Sequence, residues 1–199
     1  MSENTNMKAN IDNLREKPFF STKEAKSAGI SARMLSYYTQ KGEIERIAQG
    51  LYRSTQYEPT PEDIQWHELA LTAKNVKQGV ICLLSALTYY ELIDEFVNEY
   101  WIAVPNSNSR VHFPMTRIVR LRNMTLGVKT ITLAGLKVKI FDEERSIVEA
   151  FRLLDIETAI TALKNYMTDK HKKPNIKKLL AYSKTLRVDI SKYMLAFTI

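Results

Sequence analysis

Residues 19–53 read FFSTKEAKSAGISARMLSYYTQKGEIERIAQGLYR, and this stretch decides the fold of the N-terminal part of the chain. Ser21 followed three positions later by Glu24 spells a capping box, in which each residue satisfies a backbone donor of the other's turn. The helix it opens covers Thr22–Ser27, with Ala25 and Ala28 as small packing positions. Gly29 falls where a tight turn needs positive φ. Ile30 can plug the angle behind it, and Ser31 offers a second cap. Residues 32–41 then run without glycine or proline, and Gly42 closes the segment with Lys41 in its last turn, where a cation suits the helix dipole.

The second helix has two unlike faces. Met34, Leu35 and Tyr38 share one by i, i+3, i+4 spacing and should pack on the first helix. Arg33, Ser36, Tyr37 and Gln40 share the other, and Arg and Gln are the side chains that pair bidentately with guanine and adenine. After it, Ile44, Ile47 and Leu51 alternate with polar residues as short strands do, with Gln49-Gly50 at the tip and Arg46 and Arg53 flanking it. Two helices across a glycine turn, then a hairpin with basic edges, is the layout of a winged helix-turn-helix. The expected DNA contacts are Ser31, Arg33, Ser36, Tyr37, Gln40 and Lys41 from the helix and Arg46, Gln49 and Arg53 from the wing. The helix would read base edges, and the wing arginines would touch the phosphate backbone.

Three runs, KGEIERIAQGLYR (41–53), VICLLSALTYYELIDE (80–95) and DEERSIVEAFR (142–152), occur in an order that resembles the AbiEi antitoxins. These are the antitoxin halves of type IV toxin–antitoxin pairs, first known from abortive phage infection. The resemblance runs from about residue 18 to residue 186. It implies an N-terminal winged helix-turn-helix, a larger C-terminal antitoxin domain, repression of the protein's own operon at inverted repeats, and neutralisation, direct or indirect, of a nucleotidyltransferase-like toxin. The chain departs from the family at Glu43 and Gln49, where relatives often carry basic residues, and this weakens the wing's electrostatic attraction for DNA.

At 199 residues the chain suits one large or two small domains. A formal charge of +7 favours an anionic partner without naming it. The single cysteine, Cys82, excludes an internal disulfide, lies among apolar residues as a small buried hydrophobe, and suits a reducing cytoplasm. The first residues, MSENTNMKANIDN, lack the apolar core of a signal peptide, and the apolar run 79–87 is too short to span a bilayer. The expectation is a cytoplasmic protein with no membrane partner, monomeric when free and bound as two copies on DNA.

The segment STQYEPTPED (54–63), with Pro59 and Pro61, reads as a linker, which gives domains 1–57 and 58–199. A leading helix over 8–17 is expected to turn Leu14 inward. In the second domain Pro61 opens a helix reaching about residue 79, and 82–92 has a helical apolar pattern. Strands are expected at 100–104, 118–121, Val128–Leu133 and 138–141, with Ala134-Gly135 as a hairpin tip. From Glu143 onward the pattern is helical, with apolar stripes at Ile147/Ala150/Phe151/Leu154, Ala159/Leu163/Tyr166 and Ile176/Leu179/Leu180. The fold class is α+β: a winged helix-turn-helix, then a mixed α/β domain ending in a helical bundle.

Charge is unevenly spread. Residues 1–57 carry nine basic and six acidic side chains, but 105–141 carry seven basic ones (Arg110, Arg117, Arg120, Arg122, Lys129, Lys137 and Lys139) and no acidic one. Period two puts Lys137 and Lys139 on one side, opposite Val138 and Ile140, so one face of the sheet should be cationic and meet a toxin or nucleic acid. The lysines at 170, 172, 173, 177 and 178 read as a solvated face. His67, His112 and His171 show no metal-ligand spacing, and no phosphate-binding loop is present, so no metal, cofactor or catalytic residue is expected. Asp142, Glu143 and Glu144 suit a helix N-terminus. Two other readings stay open: a transcription regulator without a toxin, and a metal-dependent nuclease using Asp94, Glu95 and Glu99 with Lys137 or Lys139.

Overall fold

The computed structural model describes residues 14, 16–17, 19–58, 60–94, 98–107 and 115–195. The chain divides into two compact units, one of residues 1–70 with Thr132–Leu136, the other of Leu71–Ile131 with 137–199. The first unit passes the boundary expected at 57/58 because Pro61 opens a continuous helix, Pro61–Asn75, whose first part belongs to that unit. Pro59 and most of the leading helix expected over 8–17 lie outside the described residues, but Leu14 is buried as its pattern requires.

The first unit is built as its caps dictate. Strand β1 (Phe20–Ser21) leads into α1 (Thr22–Ser27), where the Glu24 N–H donates to Ser21 Oγ at 3.1 Å and the Ser21 N–H donates to Glu24 Oε2 at 2.8 Å. Gly29 turns the chain at φ +80°, and Ser31 caps α2 (Ala32–Gln40) by accepting from the Met34 N–H at 3.3 Å. Strands β2 (Ile44–Ala48) and β3 (Leu51–Ser54) follow, and the three strands form a sheet in the order β1-β3-β2. Leu14, Phe20, Ala25, Ile30, Leu35 and Ile44 close the core, with Met34, Tyr38 and Tyr52 packed at its edge. Helix α3 (Pro61–Asn75) begins after them.

A five-stranded sheet of order β6-β5-β4-β8-β7 follows, with β4 (Val80–Ile81), β5 (Tyr100–Pro105), β6 (Thr116–Leu121), β7 (Val128–Leu133) and β8 (Leu136–Phe141), all in the second unit except Thr132, Leu133 and Leu136. Four of the five strands fall where the sequence pattern puts them. The central one, β4, does not, because its two residues sit in an apolar run continuous with helix α4 (Leu83–Tyr89). β4 runs parallel to β8 and antiparallel to β5, so it bridges two strands distant in sequence. Helices α5 (Glu143–Leu153), α6 (Ile156–Thr168), α7 (Ile176–Leu186) and α8 (Ser191–Met194) complete the unit around Ile147, Ala150, Ala159, Leu163, Tyr166 and Leu179. The stripe expected on α7 holds only at Leu179, while Ile176 and Leu180 are exposed.

Polar groups fix how α5 and α7 meet. Asp142 caps α5 by accepting from the Arg145 N–H at 2.9 Å. Lys178 of α7 lies 2.9 Å from Asp142 and 2.8 Å from Glu144, and the Tyr166 hydroxyl donates to Glu144 at 2.8 Å. Lys172 also donates to Glu143 at 2.8 Å, so two lysines expected on a solvated face are committed to carboxylates. Burial alone would raise the Glu144 carboxyl, but the bonds from Lys178 and Tyr166 outweigh it and hold the group below its ordinary value.

Two outcomes follow. Gly127 has φ +71°, and a Cβ there would lie 2.8 Å from Arg145 Cβ and 2.9 Å from Asp142 Oδ1. Gly127→Ala should therefore lower stability by about 1–3 kcal/mol, read from the denaturant midpoint. A depressed carboxylate stabilises the fold above the ordinary glutamate range and loses that contribution as the pH falls through its folded value. Glu144→Gln should lower the melting temperature at neutral pH and flatten its fall below about pH 4.5, measured across a pH series.

Candidate nucleic-acid interface

The second helix of the first unit presents the two faces its spacing demands. Leu35 is 1% exposed in the core, while Arg33, Ser36, Tyr37 and Gln40 are all exposed on the outer side. Burying Leu35 is worth about 1.5–3 kcal/mol, which sets the rotation of the helix and so the direction of its polar face. Ser36 Oγ donates back to the Ala32 carbonyl at 3.1 Å. Ser31 spends its acceptor on the Met34 N–H, which leaves its hydroxyl hydrogen for another acceptor.

Lys41 sits just past the helix end with its Nζ 4.8 Å from the centre of the Tyr37 ring. Its hydrogen bond with Tyr37 holds the ammonium above its ordinary value. The two side chains form one cationic, aromatic feature at the C-terminal edge of the exposed face.

The hairpin separates its two arginines. A regular two-residue loop at Gln49-Gly50 would set Arg46 opposite Arg53, two like charges face to face. The register shifts between Arg46 and Ala48, so Arg46 opposes Tyr52 and Glu45 opposes Arg53. Arg53 Nε then donates to Glu45 Oε1 at 2.6 Å, and its Nη2 pairs with the same carboxylate. Arg53 Nη1 lies 3.2 Å from His67 Nε2 of α3. Arginine can only donate, so this nitrogen of His67 accepts and the ring carries its proton on Nδ1, 3.4 Å from Glu68 Oε1. The same ring stacks on Phe19 at 4.9 Å.

Arg53, expected to touch DNA, is engaged within the chain by Glu45 and His67, a contact that ties β3 to α3. His67, isolated in sequence, is half of that tie. The signal that could have found it is Glu45, eight positions before Arg53 across a short hairpin. Arg46 and Gln49 remain exposed.

The cations of 105–141 do not all share one face: Ile118, Ile102, Ile81 and Ile140 align across the sheet, which sets Arg117 on the side of Lys137 and Lys139 and Arg120 on the other. β6 and β8 are also separated by β5 and β4, which places Arg117 and Arg120 at one edge, about 14 Å from the strand carrying Lys137 and Lys139. Lys137 and Lys139 do alternate with buried Leu136, Val138 and Ile140, as the period-two pattern requires. Arg117 lies over the Trp101 ring at 4.7 Å and 3.9 Å from Glu99, and Lys129 lies 6.0 Å from the Tyr90 ring. Arg110 lies outside the described residues. Arg120 and Arg122 instead line a cavity with Arg145, Arg152 and Arg187, a grouping that the sequence order hides.

No group of three His, Cys, Asp or Glu suited to a metal occurs among the described residues, which exclude Glu95 and His112. Cys82 is buried, and burial pushes its thiol well above the ordinary range, with the Glu149 carboxylate adding to the shift. Among the described residues, no helix is long and apolar enough to cross a membrane.

Residues 11–55 match the family model described as transcriptional regulator, AbiEi antitoxin. No curated protein matches the chain. The match covers the two capped helices and the hairpin and ends just after β3, leaving the second unit outside it. Over residues 11–55 the chain thus carries the signature of the AbiEi antitoxin transcriptional regulators, the family its motifs resemble.

Proposed function

We propose that this chain is a DNA-binding antitoxin that represses its own operon. Residues 19–54 act as a winged helix-turn-helix, with α2 in the major groove of an inverted repeat and one copy on each half-site. The observation that carries this reading is the outward face of α2, where Arg33, Ser36, Tyr37 and Gln40 stand exposed directly behind the buried Leu35. Ser31 and Lys41 flank that face, and Arg46 and Gln49 meet the adjoining backbone. The second unit neutralises a nucleotidyltransferase-like toxin encoded beside this gene, directly or indirectly, with Lys137 and Lys139 as its contact surface, and the chain catalyses no reaction. The toxin half of the reading is supported by the family resemblance.

Gel shifts on the upstream duplex test the DNA half. Arg33→Ala and Gln40→Ala should each cost about 1–3 kcal/mol of specific affinity, whereas Arg46→Ala should weaken all sequences alike and make the salt dependence shallower. A double Arg33→Ala/Gln40→Ala variant that binds like the unaltered protein contradicts the assignment of α2.

Arg53→Ala separates structure from contact. It should lower stability by about 0.5–1 kcal/mol in chemical denaturation and leave the salt slope of binding unchanged. For the antitoxin half, co-expression with the neighbouring gene product should restore growth, and Lys137→Glu/Lys139→Glu should reduce that rescue while the fold persists. Incubation with plasmid and magnesium or manganese should leave the plasmid intact.

A further inference from the structure

The second unit contains a cavity of about 490 Å³ lined by Arg120, Arg122, Arg145, Arg152 and Arg187, with Asn106, Asn123 and Thr185 among its polar walls. The chain has eleven arginines and eighteen lysines, yet all five cations of this cavity are arginine. That selection points to the ligand. Lysine serves as a solvated point charge, whereas arginine presents a planar fork that pairs two oxygens of one oxyanion.

The cations are not cancelled from within. Among the described residues Glu149 is the one carboxylate in a side-chain ion pair with them, held by Arg145 Nη2 and lying 2.9 Å from Arg152, while Asp142 accepts from the Arg145 backbone and is shared with Lys178. Arg120, Arg122 and Arg187 have no carboxylate partner among the described residues. Arg145 is 1% exposed, and its Nη2 also donates to the Asn123 carbonyl at 3.2 Å. Its Nε and Nη1 are buried with no acceptor among the described residues, a costly arrangement unless an anion accepts from them. Arg187 follows the last turn of α7 in left-handed backbone at φ 57°, which brings the helix end to the cavity wall.

We propose that this arginine cavity binds a compact phosphate-bearing ligand with at least two negative charges, such as a pyrophosphate group, free or carried by a nucleotide. The volume lies in the range of small-ligand sites, about 300–1,000 Å³. The recess argues against a duplex as the occupant. Duplex phosphates lie on a convex surface and engage exposed side chains, whereas Arg145, which also lines this cavity, is buried. The inference is independent of the reading of α2.

The test is calorimetric titration of the full chain with inorganic phosphate, pyrophosphate, ATP and a DNA duplex at matched ionic strength, repeated on Arg122→Ala/Arg187→Ala. Both positions are exposed, and a circular-dichroism melt checks the variant's fold. If the double variant fails to fold, the singly substituted Arg120→Gln takes its place. Pyrophosphate or ATP should bind more tightly than phosphate, and the variant should lose at least about tenfold in affinity. Equal affinity for pyrophosphate and ATP assigns recognition to the phosphates alone, and tighter ATP binding assigns it to a nucleotide. The proposal is overturned if neither binds above the ionic-strength control, or if the variant binds them unchanged. It is overturned equally if the variant loses affinity only for duplex DNA.

Discussion

The angle between α1 and α2 is the constraint on which the exposed polar face of α2 depends. It is set by three small features in eleven residues: the Ser21–Glu24 capping box, the left-handed turn at Gly29 and the Ser31 cap. Each satisfies backbone groups that a helix end would otherwise leave bare. Together they deliver Leu35 into the core beside Ile30 and Ile44, and a helix whose inner face is pinned has no choice about its outer one. Arg33 and Gln40 are exposed because Leu35 is buried.

This part of the fold was legible because its determinants are local. Caps, glycine turns and a 3.6-residue period are all written within a few positions of where they act. The failures came where a contact joins distant residues. The register shift in the hairpin depends on avoiding Arg46 against Arg53 and on a partner for Arg53 at His67, and neither shows in a strand pattern. β4 is hidden for the same reason, since its two residues become a strand only by lying between β5 and β8. The outer residues of the α7 stripe misled because apolar spacing says which residues could be buried. Which ones are depends on Lys178 reaching Asp142 and Glu144.

The second unit spends its polar residues differently from the first. In the first they cap helices and then face outward. In the second they are drawn inside: Asp142, Glu144, Arg145 and Glu149 are all buried. A buried ion pair adds little net stability, because desolvation offsets most of its attraction, yet removing one partner is expensive. Arg145 lies over the Phe141 ring at 4.9 Å and pairs with Glu149, so it is locked between the end of the sheet and α5. Around that fixed cation gather arginines from β6, the loop after it, α5 and the end of α7. Charge density along the chain marks only the two nearest the sheet and groups them with the lysines of β8, because density in sequence is not convergence in space.

The central claim, that the exposed face of α2 is a nucleic-acid surface oriented by its buried one, is tested most directly by amide NMR titration of the full chain with its own upstream duplex. The account predicts the largest shifts at Arg33, Ser36, Tyr37 and Gln40, with smaller ones at Arg46 and Gln49 and none of comparable size at Arg53. Shifts confined to the second unit, or absent from α2 while the duplex is bound, would contradict it.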